Sequence, residues 1–301
     1  MQFDLGEVLT RTWKIGWNHK ALWLWQMLPA LAGIIFMPIF VLANPAFMMF
    51  MGMDTEAYWN TPWLPLGLIG LFFLLLIPSA FLSVMAQLAV IHGAVKVERG
   101  AENLSFTELF QESLPYFWRV FGLYAVFFGA WMVLLFGLNI LISLASVATF
   151  GLAALCFVPM FLLFIPVTLV GFTVLEVAQA AIIADNMSLM DAVSRGWALF
   201  RANVLGLSIL MLILYFGMTT ISSFFAFPAM IPMIMFPIGF ASQGEPNTVM
   251  VILFFAIFML VLTLMYLVQS ILIAFFQIAW AVAYLRISQT DNSPVMADKN
   301  V

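Results

Sequence analysis

The chain of 301 residues is 65% apolar and only 8% charged. Soluble domains carry about 25% charged and about 45–50% apolar residues, so this composition cannot cover a water-facing surface and excludes a water-soluble enzyme. The formal charge of −4 calls for no nucleic-acid partner, and the single cysteine, Cys156, excludes an internal disulfide.

A spanning helix needs about 20 mostly apolar residues. The chain opens on an amphipathic stretch, D-L-G-E-V-L-T-R-T-W-K-I-G-W from Asp4, followed by apolar runs at 21–43 and 64–95. With Asp4 and Glu7 so near the start, this opening is no cleavable signal, and the first span is expected to act as its own insertion signal. A second stretch, S-F-T-E-L-F-Q-E-S-L-P-Y-F-W from Ser105, precedes runs 120–147 and 152–185. A third, S-L-M-D-A-V-S-R-G-W-A-L-F-R from Ser188, precedes runs 203–227 and 249–286. The second, fourth and sixth runs exceed the bilayer and are expected to tilt or project past it. Residues 289–301 read as a short polar cytoplasmic tail, expected to be mobile.

All ten cations fall on one side of these six runs. Arg11, Lys14 and Lys20 precede the first; Lys96, Arg99 and Arg119 separate the second from the third. Arg195 and Arg201 separate the fourth from the fifth, and Arg286 and Lys299 follow the sixth. The other three loops carry only Asp54, Glu56 and Glu245. The positive-inside rule then places both termini in the cytoplasm.

The three amphipathic stretches align without gaps, which makes them an internal repeat. Each opens on an N-cap residue with an acid three positions later: Asp4 and Glu7, Ser105 and Glu108, Ser188 and Asp191. That is the capping-box pattern, in which both side chains serve free N–H groups at a helix start. Apolar residues then recur at helical spacing: Leu5, Phe106 and Leu189; Leu9, Phe110 and Val193; Trp13, Leu114 and Trp197. Glu7 and Arg11, like Asp191 and Arg195, have the spacing of helix-surface ion pairs, whereas the second copy has Glu108 and Glu112. Each stretch reads as a helix on the cytoplasmic face, its aromatic side at headgroup level.

The second span of each pair repeats too. Q-L-A-V-I-H-G-A-V-K, E-V-A-Q-A-A-I-I-A-D and Q-I-A-W-A-V-A-Y-L-R place Gln87, Glu176 and Gln277 at one position. They place Lys96, Asp185 and Arg286 at another, roughly 13 Å further along the helix. The expected fold is an all-α polytopic membrane protein with six transmembrane helices. They form three parallel repeats of surface helix plus transmembrane hairpin, about residues 4–100, 105–185 and 188–288, within one membrane domain at 1–288. An even number of spans per repeat relates the repeats about an axis along the membrane normal.

The third copy, I-I-A-D-N-M-S-L-M-D-A-V-S-R-G-W-A-L-F-R-A-N, resembles the membrane domain attached to some bacterial glycerophosphodiester phosphodiesterases and its stand-alone relatives of unknown function. Ser188, Asp191, Ala192, Ser194, Arg195, Trp197, Leu199 and Asn203 carry the match, and F-D-L-G-E-V-L-T-R-T-W-K-I-G-W is similar to it as well. The resemblance implies a multi-pass bacterial inner-membrane protein. It does not imply the phosphodiesterase reaction, whose catalytic residues have no positions here to be carried onto.

Glu176 is the sharpest chemical signal, because an ionisable group inside a span is costly and marks a functional site by default. It reads either as a proton or cation site with Gln179, Gln87 and Gln277, or as part of a polar layer joining helices. Such hydrogen bonds contribute about 0.6–2 kcal/mol each, and neutral glutamines at the two equivalent positions favour the layer. Met48, Met49, Met51, Met53, Met230, Met233 and Met235 are soft ligands suited to Cu(I). Without His or Cys on that side they read instead as flexible apolar filler, so no metal or cofactor is expected. Trp23, Trp25, Tyr58, Trp59 and Trp63 read as interfacial anchors. Pro228, Pro232 and Pro237 suggest a broken or re-entrant outer segment over 228–240. His19 and His92 lie far apart and read as surface residues.

No G-x-S-x-G, H-E-x-x-H, phosphate loop or dinucleotide motif occurs, so no catalysis is expected. The expected function is a non-catalytic structural or accessory component of a membrane assembly, or a lipid-associated protein. Its partners are then membrane lipids and other membrane protein subunits. The alternative is a small-molecule or ion transporter using the layer at Gln87, Glu176 and Gln277. A transporter needs a polar path across the bilayer, and here the polar residues cluster toward one side.

Overall fold

A computed structural model describes residues 4–43, 60, 63–152, 157–243 and 248–297. Cys156, Asp54, Glu56, Glu245, Met48, Met49, Met51, Met53, Tyr58, Trp59 and Lys299 lie outside the described residues, as do the side chains of Met233 and Met235. Among the described residues every regular element is helical. In chain order these are α1 (Leu5–Asn18), α2 (Ala21–Ala43), α3 (Trp63–Glu98), α4 (Phe106–Ser113), a 3-10 turn (Leu114–Tyr116) and α5 (Phe117–Ala148). Then follow α6 (Phe157–Asp185), α7 (Leu189–Ala202), α8 (Val204–Gln243) and α9 (Thr248–Ala297).

Five described runs are long and apolar enough to cross a membrane: Leu66–Glu98, Phe106–Ala148, Phe164–Asp185, Val204–Pro228 and Ala256–Gln289. The chain is therefore a multi-pass, all-helical membrane protein. The first expected span lies on α2, whose described apolar stretch, Ala21–Phe36, is shorter. One expectation is corrected. The backbone stays helical through Pro228, Pro232 and Pro237 to Gln243, so 228–240 is not broken. The helix α9 runs on through the polar residues after Arg286 to Ala297.

Contacts divide the chain into two units where the sequence suggests one domain. The first comprises Met1–Asn18, Ile91–Leu214 and Phe276–Val301, and the second His19–Val90 and Tyr215–Phe275. The division cuts α3, α8 and α9 within their lengths.

Burial along the long helices changes abruptly. On α3, Phe73, Leu74, Ile77 and Phe81 are exposed, whereas from Val84 to Val95 all but Gln87 and His92 are buried. On α6, Leu162, Ile165 and Val167 are exposed, and burial runs from Thr173 to Ala184 with Val174 half-buried. On α9, Leu253, Ile257 and Leu260 are exposed, while Ala274 and then every residue of 277–285 are buried. The change falls one turn before Gln87, Glu176 and Gln277 in all three helices.

The short amphipathic helices bury one stripe each, at matching offsets. Val8, Leu109 and Ala192 are buried; so are Thr12, Ser113 and Gly196, then Gly16, Phe117 and Phe200. The apolar series singled out from the sequence points elsewhere, since Trp13, Leu114 and Trp197 are all exposed. Apolar character on these helices marks two faces, and the smaller residues occupy the packed one.

In the first unit the packed face of α7 lies directly on α6. A Cβ on Gly196 would stand 2.9 Å from the Val174 carbonyl oxygen and 3.4 Å from Ala178 Cβ. That contact falls roughly 10–16 Å back from the end of α6 at Asp185, so α7 folds back along α6. Asn186, with φ 52°, makes the turn between them; asparagine tolerates this left-handed conformation better than most residues. Burial of Leu199 and Phe200 on the same face contributes about 1.5–3 kcal/mol each. Where α3 ends, Gly100 at φ 100° lets Ala101 N–H reach back to the Lys96 carbonyl at 3.0 Å, a glycine C-cap.

Gly196→Leu should therefore lower stability by about 1–3 kcal/mol through overpacking against backbone that cannot move aside. Gly137→Ala, which meets nothing within 4 Å, should leave stability unchanged or raise it by up to about 1 kcal/mol. Thermal unfolding of the purified variants in detergent separates these outcomes.

Candidate functional site

Charged residues at the ends of α3, α6 and α9 meet the short helices in a regular order within the first unit. Lys96, ending α3, bonds Glu108 Oε1 of α4 at 2.5 Å and Glu112 Oε2 at 2.8 Å, and His92 Nε2 lies 3.0 Å from that same Glu112 oxygen. Arg286, ending the apolar length of α9, pairs with Glu7 of α1 at 3.1 Å and with Glu98 at 3.6 Å. Arg11 of α1 donates to Glu98 at 2.5 Å. At the end of α6, Asp185 accepts from the Tyr284 hydroxyl, and Arg195 of α7 also hydrogen-bonds that tyrosine. Lys96 and Arg286 thus each engage a short helix directly, α4 and α1, whereas Asp185 is linked to α7 only through Tyr284. Arg99 adds a 2.6 Å bond to the Ala184 carbonyl, where a cation also favours the negative end of the α6 dipole.

In the second amphipathic stretch Glu112 stands where the other two have Arg, and it faces Lys96. Glu7 pairs with Arg286 and Arg11 with Glu98, and Arg195 reaches Tyr284. For Arg11 the neighbouring-helix partner, Glu98, lies in a drier setting, where the attraction is screened less. Glu98, only 11% exposed and held by two guanidinium groups, anchors the ring.

The caps differ from one another. Asp4 Oδ1 accepts from Gly6 N at 2.8 Å and Glu7 N at 3.2 Å. Ser188 Oγ accepts from Asp191 N at 3.4 Å and donates to Asp191 Oδ2 at 2.6 Å. Ser105 takes the extended backbone of an N-cap, but its side chain makes no cap hydrogen bond. Glu7 and Glu108 are drawn to Arg286 and Lys96 instead of closing reciprocal boxes.

Below the ring lies a buried polar cluster. Thr173, Glu176 and Gln179 line one face of α6 at i, i+3 and i+6, and all are buried. Gln277 of α9 donates its amide to the Glu176 carboxyl. Tyr124 of α5 donates to Gln179 Oε1 at 2.9 Å and lies within electrostatic reach of Glu176. The second carboxyl oxygen of Glu176, Gln179 Nε2 and Gln277 Oε1 have no hydrogen-bond partner among the described residues. Glu176, Gln179 and Gln277 are thus brought together, while Gln87 is half-buried and belongs to the second unit. Sequence reasoning passed over Tyr124, Tyr284 and Glu98. A tyrosine within an apolar run, two residues from a span-end charge, was the available signal for Tyr284.

The apolar face left exposed on the short helices is aromatic. Trp13 and Trp17 form an edge-on pair at 5.4 Å, Trp118 is 75% exposed, and Arg201 sits 5.6 Å over the Trp197 ring. Among the described residues no group of three or more His, Cys, Asp or Glu could hold a metal ion. Comparison with protein-family models, with curated proteins and with solved structures finds no match.

Two outcomes check this geometry. Ser188→Ala should cost about 1 kcal/mol and Ser105→Ala close to nothing, because only the first removes a formed cap. Lys96→Glu should lower the melting temperature, and adding Glu112→Lys should restore most of the loss. Failure of that rescue would show that the pairing at this junction contributes nothing.

Proposed function

We propose that the chain is a non-catalytic structural or accessory protein of the bacterial inner membrane. It has six spans built as three parallel repeats and belongs with the membrane domains it resembles. The observation that carries this reading is the ring in which the Arg286 end of the third copy pairs with Glu7 of the first. Such a closure ties the short helices into a rigid cap.

The abrupt change in burial supports a placement in the bilayer. The exposed length of α3 before Val84, 63–83, is about 31 Å of helix, one hydrocarbon thickness. Both termini are then cytoplasmic. Trp13, Trp17, Trp118 and Trp197 lie at headgroup level, where aromatic rings anchor. Lipids and neighbouring membrane subunits are the partners this surface suits. A second reading, an ion or small-molecule transporter, is favoured by one observation: a buried carboxyl, Glu176, with an unshared oxygen.

Topology is tested by single cysteines in a Cys156→Ser background. Cysteines near residue 53, at Phe150 and near residue 242 should react with an impermeant thiol reagent in intact cells, whereas cysteines at Thr12, Asn103 and Asn300 should not. The reverse pattern overturns the orientation. Purification from native membranes should retain a stoichiometric subunit or an enriched phospholipid. Flux in reconstituted vesicles that Glu176→Gln abolishes would replace the accessory reading with the transporter.

A further inference from the structure

Glu176 lies where α6 passes from exposed to buried, 6% exposed, with one carboxyl oxygen bonded by Gln277 and the other unshared. Among the described residues no Lys, Arg or His contacts it; the titratable group facing it is Tyr124 of α5. From α9 it meets the Gln277 amide, and on its own helix Thr173 and Gln179 share its face. A buried carboxylate needs a counter-charge, and an unpaired buried acceptor costs about 1–3 kcal/mol.

The donors on offer are hard oxygens. The unshared Glu176 oxygen and Gln277 Oε1 have no hydrogen-bond partner among the described residues. Oxygen donors of this kind take hard cations and do not select soft metals. One carboxylate balances a single positive charge. We propose that Glu176 and Gln277 form a binding site for one exchangeable monovalent cation, an alkali ion or a proton, which neutralises Glu176 and locks α6 and α9 together.

The site is a counter-charge and does not depend on any ion crossing the membrane, so it goes beyond the accessory reading without requiring the transporter. Purified protein in nanodiscs is melted in sodium, potassium, lithium or choline chloride at one ionic strength and over a range of pH. An alkali ion as occupant raises the wild-type melting temperature over choline and displaces a proton measurable with an indicator dye. A proton as occupant makes the melting temperature depend on pH with no difference between the salts. Either dependence should vanish in Glu176→Gln, which keeps the shape and the hydrogen-bonding capacity. Gln277→Leu, which keeps the carboxyl, should weaken alkali binding by about tenfold. Identical salt and pH dependence in wild type and Glu176→Gln would overturn the proposal. If Glu176→Gln does not fold, an unaltered response in Gln277→Leu to every salt and pH would overturn it.

Discussion

A helix that is apolar all round is stable only where every side meets lipid or protein. α3, α6 and α9 are apolar for longer than a bilayer is thick, so part of each must be covered by the chain itself. The rest of the structure follows from that requirement. Short helices must precede the spans, they must be amphipathic, and their packed faces must be small enough to approach closely. Gly196, with no room for a side chain against Val174, is the tightest instance. Thr12 and Ser113, buried at the equivalent positions, are the same compromise with a slightly larger residue.

Covering the ends of apolar helices creates a second requirement. Helix termini leave carbonyls and charges that must be satisfied near the new interface. Arg99 on the Ala184 carbonyl and Arg119 on Asn186 Oδ1 at 2.7 Å meet it directly. The ion pairs around Glu98 meet it collectively. Each exposed pair contributes only about 0.2–1 kcal/mol, so the ring matters less as a source of stability than as a means of fixing which helix sits beside which.

The sequence made the helical class, the long apolar runs and the three aligned stretches legible, because lipid imposes a length and a composition that need no tertiary knowledge. It also brought Glu176 and Gln277 into one register, and they are in fact bonded. Partner choice was not legible. Spacing suggested Arg11 for Glu7, yet Arg286 lies 3.1 Å away, more than 270 residues distant along the chain. Three prolines suggested a break in a segment that stays helical, since residues before them can retain helix where neighbouring turns and lipid leave no better option. Ser105 looked like Ser188, but its hydroxyl was left out of the cap while its neighbour Glu108 turned to Lys96.

The polarity of the junctions differs around the ring. Lys96 and Arg286 are bases meeting acids, whereas Asp185 is an acid whose junction, through Tyr284, holds Arg195. Setting the Asp185 end beside α4 would bring it against Glu108 and Glu112, and setting Lys96 beside α7 would bring it against Arg195. The charges therefore work against that one exchange of neighbours by repulsion, in addition to favouring the observed contacts by attraction.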